Sequence, residues 1–175
     1  CAVCDGFFYK GQDVVVIGGG DTAAEESTYL AKLCTKVTLV VRKNEMRASK
    51  IMQDRVLHTN NLEVLFNHET KSINGKESVE SVTVYNNNTN EEKIIPATGF
   101  FVAIGHKPNT DIFKGQLDMD KNGYIIIQSG TSKTNIPGVY ASGDVADHVY
   151  RQAVTSAGTG CMAALDAERF LAEQQ

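Results

Sequence analysis

Val16-Ile17-Gly18-Gly19-Gly20-Asp21-Thr22-Ala23 closes a short apolar run at residues 13–17 and opens a stretch of helix-forming composition that continues to Leu33. Strand, glycine turn and helix, in that order, are the context in which G-x-G-x-x-A binds a dinucleotide. Gly18 permits a tight turn, Gly20 lets the backbone approach a pyrophosphate, and Ala23 allows the helix to pack closely. Gly19 lies between the two fingerprint glycines, Thr22 follows in the first helical turn, and the free N–H groups of that turn face the anion. The competing reading is a glycine turn that only links strand to helix, and the βαβ pattern around it counts against that. Asp21 is placed to cap the helix, with Ala24, Leu30 and Leu33 on its apolar face.

Working outward, residues 37–41 read as a second strand, 48–58 as a helix and 62–66 as a third strand. Repeated βαβ units require a parallel sheet covered by helices. The end of the second strand decides the cofactor. An NAD site places an acid there for the ribose 2′-hydroxyl, whereas an NADP site places Arg near the 2′-phosphate. Here the position carries Arg42 and Lys43, then Arg47, with Glu45 inside the cluster. Arg holds phosphate in a bidentate fork and Lys only as a point charge, so Arg42 and Arg47 should matter more than Lys43. The pattern favours NADPH over NADH; a solvated basic loop is the alternative.

Beyond the third strand the pattern changes. Residues 81–85 and 93–95 flank Asn86-Asn87-Asn88-Thr89-Asn90, which suits the tip of an antiparallel hairpin added to the domain, and Asn74-Gly75 marks a further turn. Residues 99–105 are too apolar for an exposed edge and return to the core sheet. A boundary near Thr110 separates residues 1–110 from 111–175. The second segment reads as strands at 124–128 and ending at Tyr140-Ala141, followed by a long helix at 151–173 interrupted by Gly158 and Gly160. It is thin for an independent core and reads as part of a larger domain.

Composition bounds the function. The 175 residues carry 17 Lys and Arg against 21 Asp and Glu, a net charge of −4, which argues against a nucleic-acid binder. No apolar run is longer than that of residues 100–104, which is far shorter than a membrane span needs, and nothing resembles a signal peptide. The chain opens on Cys1 with no initiator Met, and the expectation is a fragment of a longer protein.

Cys1-Ala2-Val3-Cys4 has the spacing of a dithiol exchange centre, in which one thiolate attacks a disulfide and the second resolves the intermediate. Asp5 follows and can give or take a proton. Half of a zinc site is the alternative, but the 4 His residues form no H-x3-5-H pair, and no metal is expected. Cys34 and Cys161 are expected to be small buried residues on helices.

These motifs, in this order, resemble the low-molecular-weight, bacterial-type thioredoxin reductase family. The resemblance rests on Cys1-Ala2-Val3-Cys4-Asp5-Gly6, the glycine turn, and the basic cluster of residues 42–47. It rests also on Ala103-Ile104-Gly105-His106-Lys107-Pro108-Asn109-Thr110, Gly138-Val139-Tyr140-Ala141-Ser142-Gly143-Asp144-Val145 and the stretch Tyr150-Arg151-Gln152-Ala153-Val154-Thr155. It implies a Rossmann-like, three-layer α/β NADPH-binding domain carrying the cysteine pair, joined to the C-terminal part of a split FAD-binding α/β domain. By the same resemblance Gly143, Asp144 and Val145 approach the ribityl chain of FAD, and Arg151, Gln152 and Ala153 approach the isoalloxazine. Hydride would pass from NADPH to FAD, and the electron pair on to the Cys1–Cys4 disulfide and then to thioredoxin. Cys4 would face the flavin, Cys1 would attack the partner, and Asp5 would serve as acid and base. A cytoplasmic homodimer is implied for the parent protein. Two departures stand out: the family's usual His before the basic pair is Val41, and its second Arg is Lys43. No FAD fingerprint precedes Cys1, so this chain alone is expected to bind FAD weakly or not at all. The reductase core of a peroxiredoxin-reducing flavoprotein, which shares these motifs, is the close alternative, and a non-catalytic NADP-binding module the more distant one.

Overall fold

In the computed structural model, which describes residues 1–174, the chain divides into two compact units, Cys1–Gly105 and His106–Gln175. Gln175, the last residue of the expected second segment, lies outside the described residues. The division falls a few residues before the expected Thr110.

In the first unit, β1 (Asp13–Ile17), β2 (Lys36–Val41), β3 (Leu62–Phe66) and β7 (Gly99–Val102) form a parallel sheet in the order β3-β2-β1-β7. The short helix α1 (Ala2–Asp5) precedes β1, while α2 (Asp21–Leu30) links β1 to β2 and α3 (Lys50–Leu57) links β2 to β3. The central strands β1 and β2 read as nearly continuous apolar runs because both their faces are buried. By contrast β3 and β7 are edge strands, β7 in spite of the expectation that residues 99–105 are too apolar for an edge. Val14 and Val16 point to one side with Leu39, Ala24, Leu30 and Val56, forming the helical layer's core. Val15 and Val40 point to the other, where they meet Val82, Val84, Ile95 and Ala97.

Those last residues belong to a second sheet, β4 (His68–Asn74), β5 (Ser81–Asn86) and β6 (Glu92–Pro96), antiparallel in the order β4-β5-β6. The expected hairpin is thus a three-stranded sheet that forms a complete layer. β4 escaped the sequence reading because His68-Glu69-Thr70-Lys71-Ser72 carries almost no apolar signal, and a register shift at Thr70/Ser72 breaks its alternation. Asn74 fixes the β4–β5 pairing by donating from Nδ2 to Ser81 Oγ at 3.2 Å and Thr83 Oγ1 at 2.8 Å.

Helix α2 ends at Leu30, short of Leu33, and turns back through residues 31–35. Asn61 Nδ2 holds that turn, donating to Ala31 O at 2.8 Å and Cys34 O at 3.0 Å. Cys34 is therefore buried in a turn, not on a helix.

The second unit has little regular structure before its last helix, α4 (Ala153–Glu173). The expected strands at 124–128 and 140–141 are isolated bridges, Met119 with Ile125 and Lys133 with Tyr140. Leu117, Ile125 and Ala141 make a small core. Cys161 lies on α4 as expected but is exposed. Among the described residues no helix is long and apolar enough to cross a membrane.

Candidate functional site

At the carboxyl ends of β1 and β2, the place where open α/β sheets bind ligands, lies a cleft of about 710 Å3. One wall is Gly18, Gly19, Gly20 and Thr22; another is Arg42, Lys43 and Arg47 with Glu45 among them. His68, Glu69 and Thr70 of β4 and Ile104 and Gly105 beyond β7 complete it. The volume falls within the range of small-molecule sites, roughly 300–1,000 Å3.

Gly18 sits at φ +145°, and a Cβ there would lie 2.3 Å from the carbonyl oxygen of Ala103, so no side chain fits. The same Cβ would lie 2.8 Å from that of Ala23, which is fully buried. Nothing stands within 4 Å of a Cβ on Gly20, whose open side leaves room for a ligand. Gly20, not Asp21, caps α2: its backbone is extended, and its carbonyl accepts from Ala24 N at 3.1 Å. Asp21 is the first helical residue, lies outside the cleft lining, and accepts a hydrogen bond from Ser49 N at 2.9 Å through Oδ1. That bond holds its carboxyl below the usual range.

The basic residues occupy an irregular segment, 42–49, between β2 and α3. Arg47 N and Ala48 N donate to Gly19 O at 2.6 and 3.1 Å, and Asn87 Nδ2 donates to Arg42 O at 2.7 Å. Met46 and Ala48 are buried beneath. The buried hydroxyl of Thr70 has no hydrogen-bond partner among the described residues.

Cys1 and Cys4 are joined by a disulfide with their Cα atoms 5.3 Å apart. Cys1 caps the N-terminus of α1, accepting from Cys4 N at 3.3 Å through Sγ. Ala2 anchors this turn in the core, while Cys1, Cys4 and Asp5 stay exposed. Beside them Val3, Phe7 and Phe8 are 64–75% exposed, an apolar surface at the disulfide that the sequence reading passed over. Its signal was the Phe-Phe pair directly after the CxxC turn.

In the second unit Gly143-Asp144-Val145 forms a 3-10 turn, entered by Gly143 at φ +70°. Gly143 N donates to Thr159 Oγ1 at 3.0 Å, and Ser156 Oγ donates to Asp144 Oδ1 at 3.2 Å, tying the turn to the first half of α4. Gln152 caps α4 through a capping box with Thr155, and Ala153 is its first residue. Arg151, before the cap, adopts φ +49°. Asp147 holds that strained approach: its carboxylate accepts from Val149 N, Tyr150 N, Arg151 N and Thr155 Oγ1 at 2.9–3.2 Å. Burial opposes ionisation of Asp147, but these donors outweigh it and keep the carboxyl below its ordinary value. Sequence reasoning missed Asp147, whose spacing from Arg151 carries no familiar pattern. Among the described residues no cluster of His, Cys, Asp and Glu could hold a metal ion.

Residues 1–160 match the family model described as pyridine nucleotide-disulphide oxidoreductase. A thioredoxin reductase of Streptomyces clavuligerus is 52% identical over 172 residues, covering 98% of this chain and 53% of that protein. One from Dictyostelium discoideum is 55% identical over 173 residues, covering 98% and 54%. The crystal structure of thioredoxin reductase from Streptococcus pyogenes matches with a TM-score of 0.91 at 36% identity, over 99% of this chain and 56% of that one. The chain spans about half the length of the curated relatives it matches.

Proposed function

Because this chain belongs to the pyridine nucleotide-disulphide oxidoreductase family, we propose that it is the NADPH-binding, disulfide-carrying part of a flavoprotein thioredoxin reductase. The observation that carries this reading is a CxxC disulfide built onto the same compact unit as a basic-walled dinucleotide cleft.

The residues fit the cofactors. For NADPH, Gly18 and Gly20 give a bare backbone for the pyrophosphate, Arg42, Lys43 and Arg47 a site for the 2′-phosphate, and the Thr70 hydroxyl, unpartnered among the described residues, a further contact in the cleft lining. For FAD, Asp144 at the Gly143–Val145 turn and the first N–H groups of α4 offer polar partners. The exposed Val149, Tyr150 and Val154 beside them offer apolar cover for a ring. When bound, NADPH and flavin supply two electrons to the disulfide.

The chain's own chemistry is thiol exchange. The Cys1 thiolate attacks one sulfur of the thioredoxin disulfide; that bond breaks and the departing sulfur takes a proton. The Cys4 thiolate then attacks Cys1 in the mixed disulfide, re-forming Cys1–Cys4 and releasing the second thioredoxin sulfur, which is protonated in turn. The two electrons lost by the pair are gained by thioredoxin. Asp5, exposed and next to Cys4, exchanges the protons. Val3, Phe7 and Phe8 give a protein substrate an apolar surface at the point of attack.

The chain reduced with dithiothreitol and freed of reagent is expected to reduce one equivalent of thioredoxin disulfide. Cys4→Ser is expected to trap a mixed disulfide through Cys1, and Cys1→Ser to trap none. Trapping through Cys161 instead would reject the reading. In titration calorimetry NADPH should bind more tightly than NADH, and Arg42→Ala should remove most of that preference.

A further inference from the structure

Asp21 presents a puzzle. It is a carboxylate in the first turn of the helix whose N-terminus faces the proposed pyrophosphate site, where its negative charge opposes a phosphate ligand. Its side chain is turned elsewhere, onto the backbone N–H of Ser49 at 2.9 Å. Ser49 ends the segment that carries Arg42, Lys43 and Arg47 and is the N-cap residue of α3.

We propose that Asp21 is a positioning residue that fastens the basic segment to the glycine turn and thereby sets the preference for a 2′-phosphorylated dinucleotide. This rests on the dinucleotide reading of the cleft.

The segment has no regular hydrogen bonding of its own, and its register against the glycine turn is fixed at three successive residues. Arg47 N and Ala48 N donate to Gly19 O, and Ser49 N donates to Asp21 Oδ1. Gly19 itself is pressed close, since a Cβ there would lie 3.1 Å from Val41 Cγ1. Gln53 continues the brace on the α3 side, donating from Nε2 to Ala48 O at 2.7 Å. Two of the three bonds use backbone on both sides and form with any sequence. The third depends on a side chain with a charged acceptor, so it is the fastening that a substitution can remove. An ammonium or guanidinium recognises phosphate more tightly where its backbone is held in place, because less freedom is lost on binding. A fastened segment therefore holds Arg47 at a set distance from the turn that takes the pyrophosphate, while Arg42, at the other end of the segment, is held by Asn87 Nδ2 on its carbonyl. The 2′-phosphate and the pyrophosphate of one ligand are likewise a set distance apart.

The proposal separates the two properties of Asp21. Its acceptor oxygen fastens the segment, and its charge works against the ligand. Asp21→Asn keeps an acceptor and removes the charge, so it is expected to keep the NADPH-over-NADH preference and to bind both dinucleotides at least as tightly as the parent chain. Asp21→Ala removes the acceptor together with the charge and is expected to lower the preference by about tenfold, the scale of one charge-assisted hydrogen bond, while NADH binds no more weakly. Ser49→Pro removes the donor and leaves Asp21 intact. Ser49 has φ −57° and makes no capping bond with its side chain, so proline suits the position. It should reproduce the Asp21→Ala loss, and the two changes together should lose no more than either alone.

Calorimetric titration of the chain and these variants with NADPH and NADH tests this, with circular dichroism to confirm folding. An unchanged preference in both Asp21→Ala and Ser49→Pro, or additive losses in the double variant, would overturn the positioning role. Arg42→Ala is the control for the underlying reading. If it leaves the preference intact, the dinucleotide assignment of the cleft fails; if it abolishes the preference while Asp21→Ala does not, only the role of Asp21 fails.

Discussion

The two units of this chain are held together by different physics. In Cys1–Gly105 three layers share two apolar cores, and Val14, Val15 and Val16 are buried in succession on alternate faces of one strand. In His106–Gln175 the core is small, α4 buries none of its residues, and carboxylates supplement the backbone hydrogen bonds of the irregular segments. Asp120 accepts from Asn122 N and Tyr124 N, Asp147 organises residues 147–151, and Asp166 accepts from the backbone and hydroxyl of buried Ser132. The first unit should thus respond to lost volume and the second to lost charge.

The largest effect is expected from Leu39→Ala in β2. Leu39 is fully buried, and its truncation should cost the first unit about 2–5 kcal/mol, read as a lower midpoint in urea. A loss below about 1 kcal/mol would mean that the layers repack and the contrast is false.

Acid comes next. In the second unit Asp111, Asp120, Asp147 and Asp166 all lie below their ordinary value, and the Lys107 and Lys114 ammonium groups take Asp111 down to about 2. A carboxyl depressed in the folded state contributes stability that is fully present above its unfolded value, about 3.9, and is lost as pH falls through the folded value. In the first unit Asp21 and Glu63 are depressed in the same way. Amide protection should therefore decline between about pH 4 and pH 2 in the second unit before the first. Simultaneous loss would erase the distinction.

Asp147→Ala should speed hydrogen exchange at Val149, Tyr150 and Arg151 by on the order of tenfold, with amides of the parallel sheet unmoved. The smallest effect belongs to the first unit's ion pairs. Lys36 meets Glu63 at 2.6 Å on the surface, and Lys36→Met should change stability by less than about 1 kcal/mol. A larger cost would show that charge supports this unit too.

The same contrast explains what was legible beforehand. β1 and β2 could be read because strands buried on both faces are nearly continuous apolar runs, a signal that needs no knowledge of partners. β7, equally apolar and expected away from an edge, is an edge strand with Val102 exposed. The strands expected at 124–128 and 140–141 failed for the complementary reason. Apolar residues there fill a small core in an irregular backbone, and single bridges replace a ladder. At the site, Gly18 was recognisable because a tight turn dictates its residue type, and Gly20, Arg42 and Arg47 line the same cleft, where their phosphate-binding roles are proposed. Asp21 was recognisable as polar and misread as a cap, because its true partner is 28 residues away.

The sequence alone determined the βαβ frame, the glycine turn, the basic cluster and the CxxC pair, since each depends on periodicity or on steric and chemical demands local to a few residues. Only the tertiary structure decided that β4, β5 and β6 form a third layer, that Gly20 caps α2 while Asp21 reaches Ser49, and that Asp147 holds Arg151 at φ +49°. Hydrogen bonds between distant segments leave no spacing in the chain, because folding selects the partner and residue type fixes only the capacity to bond.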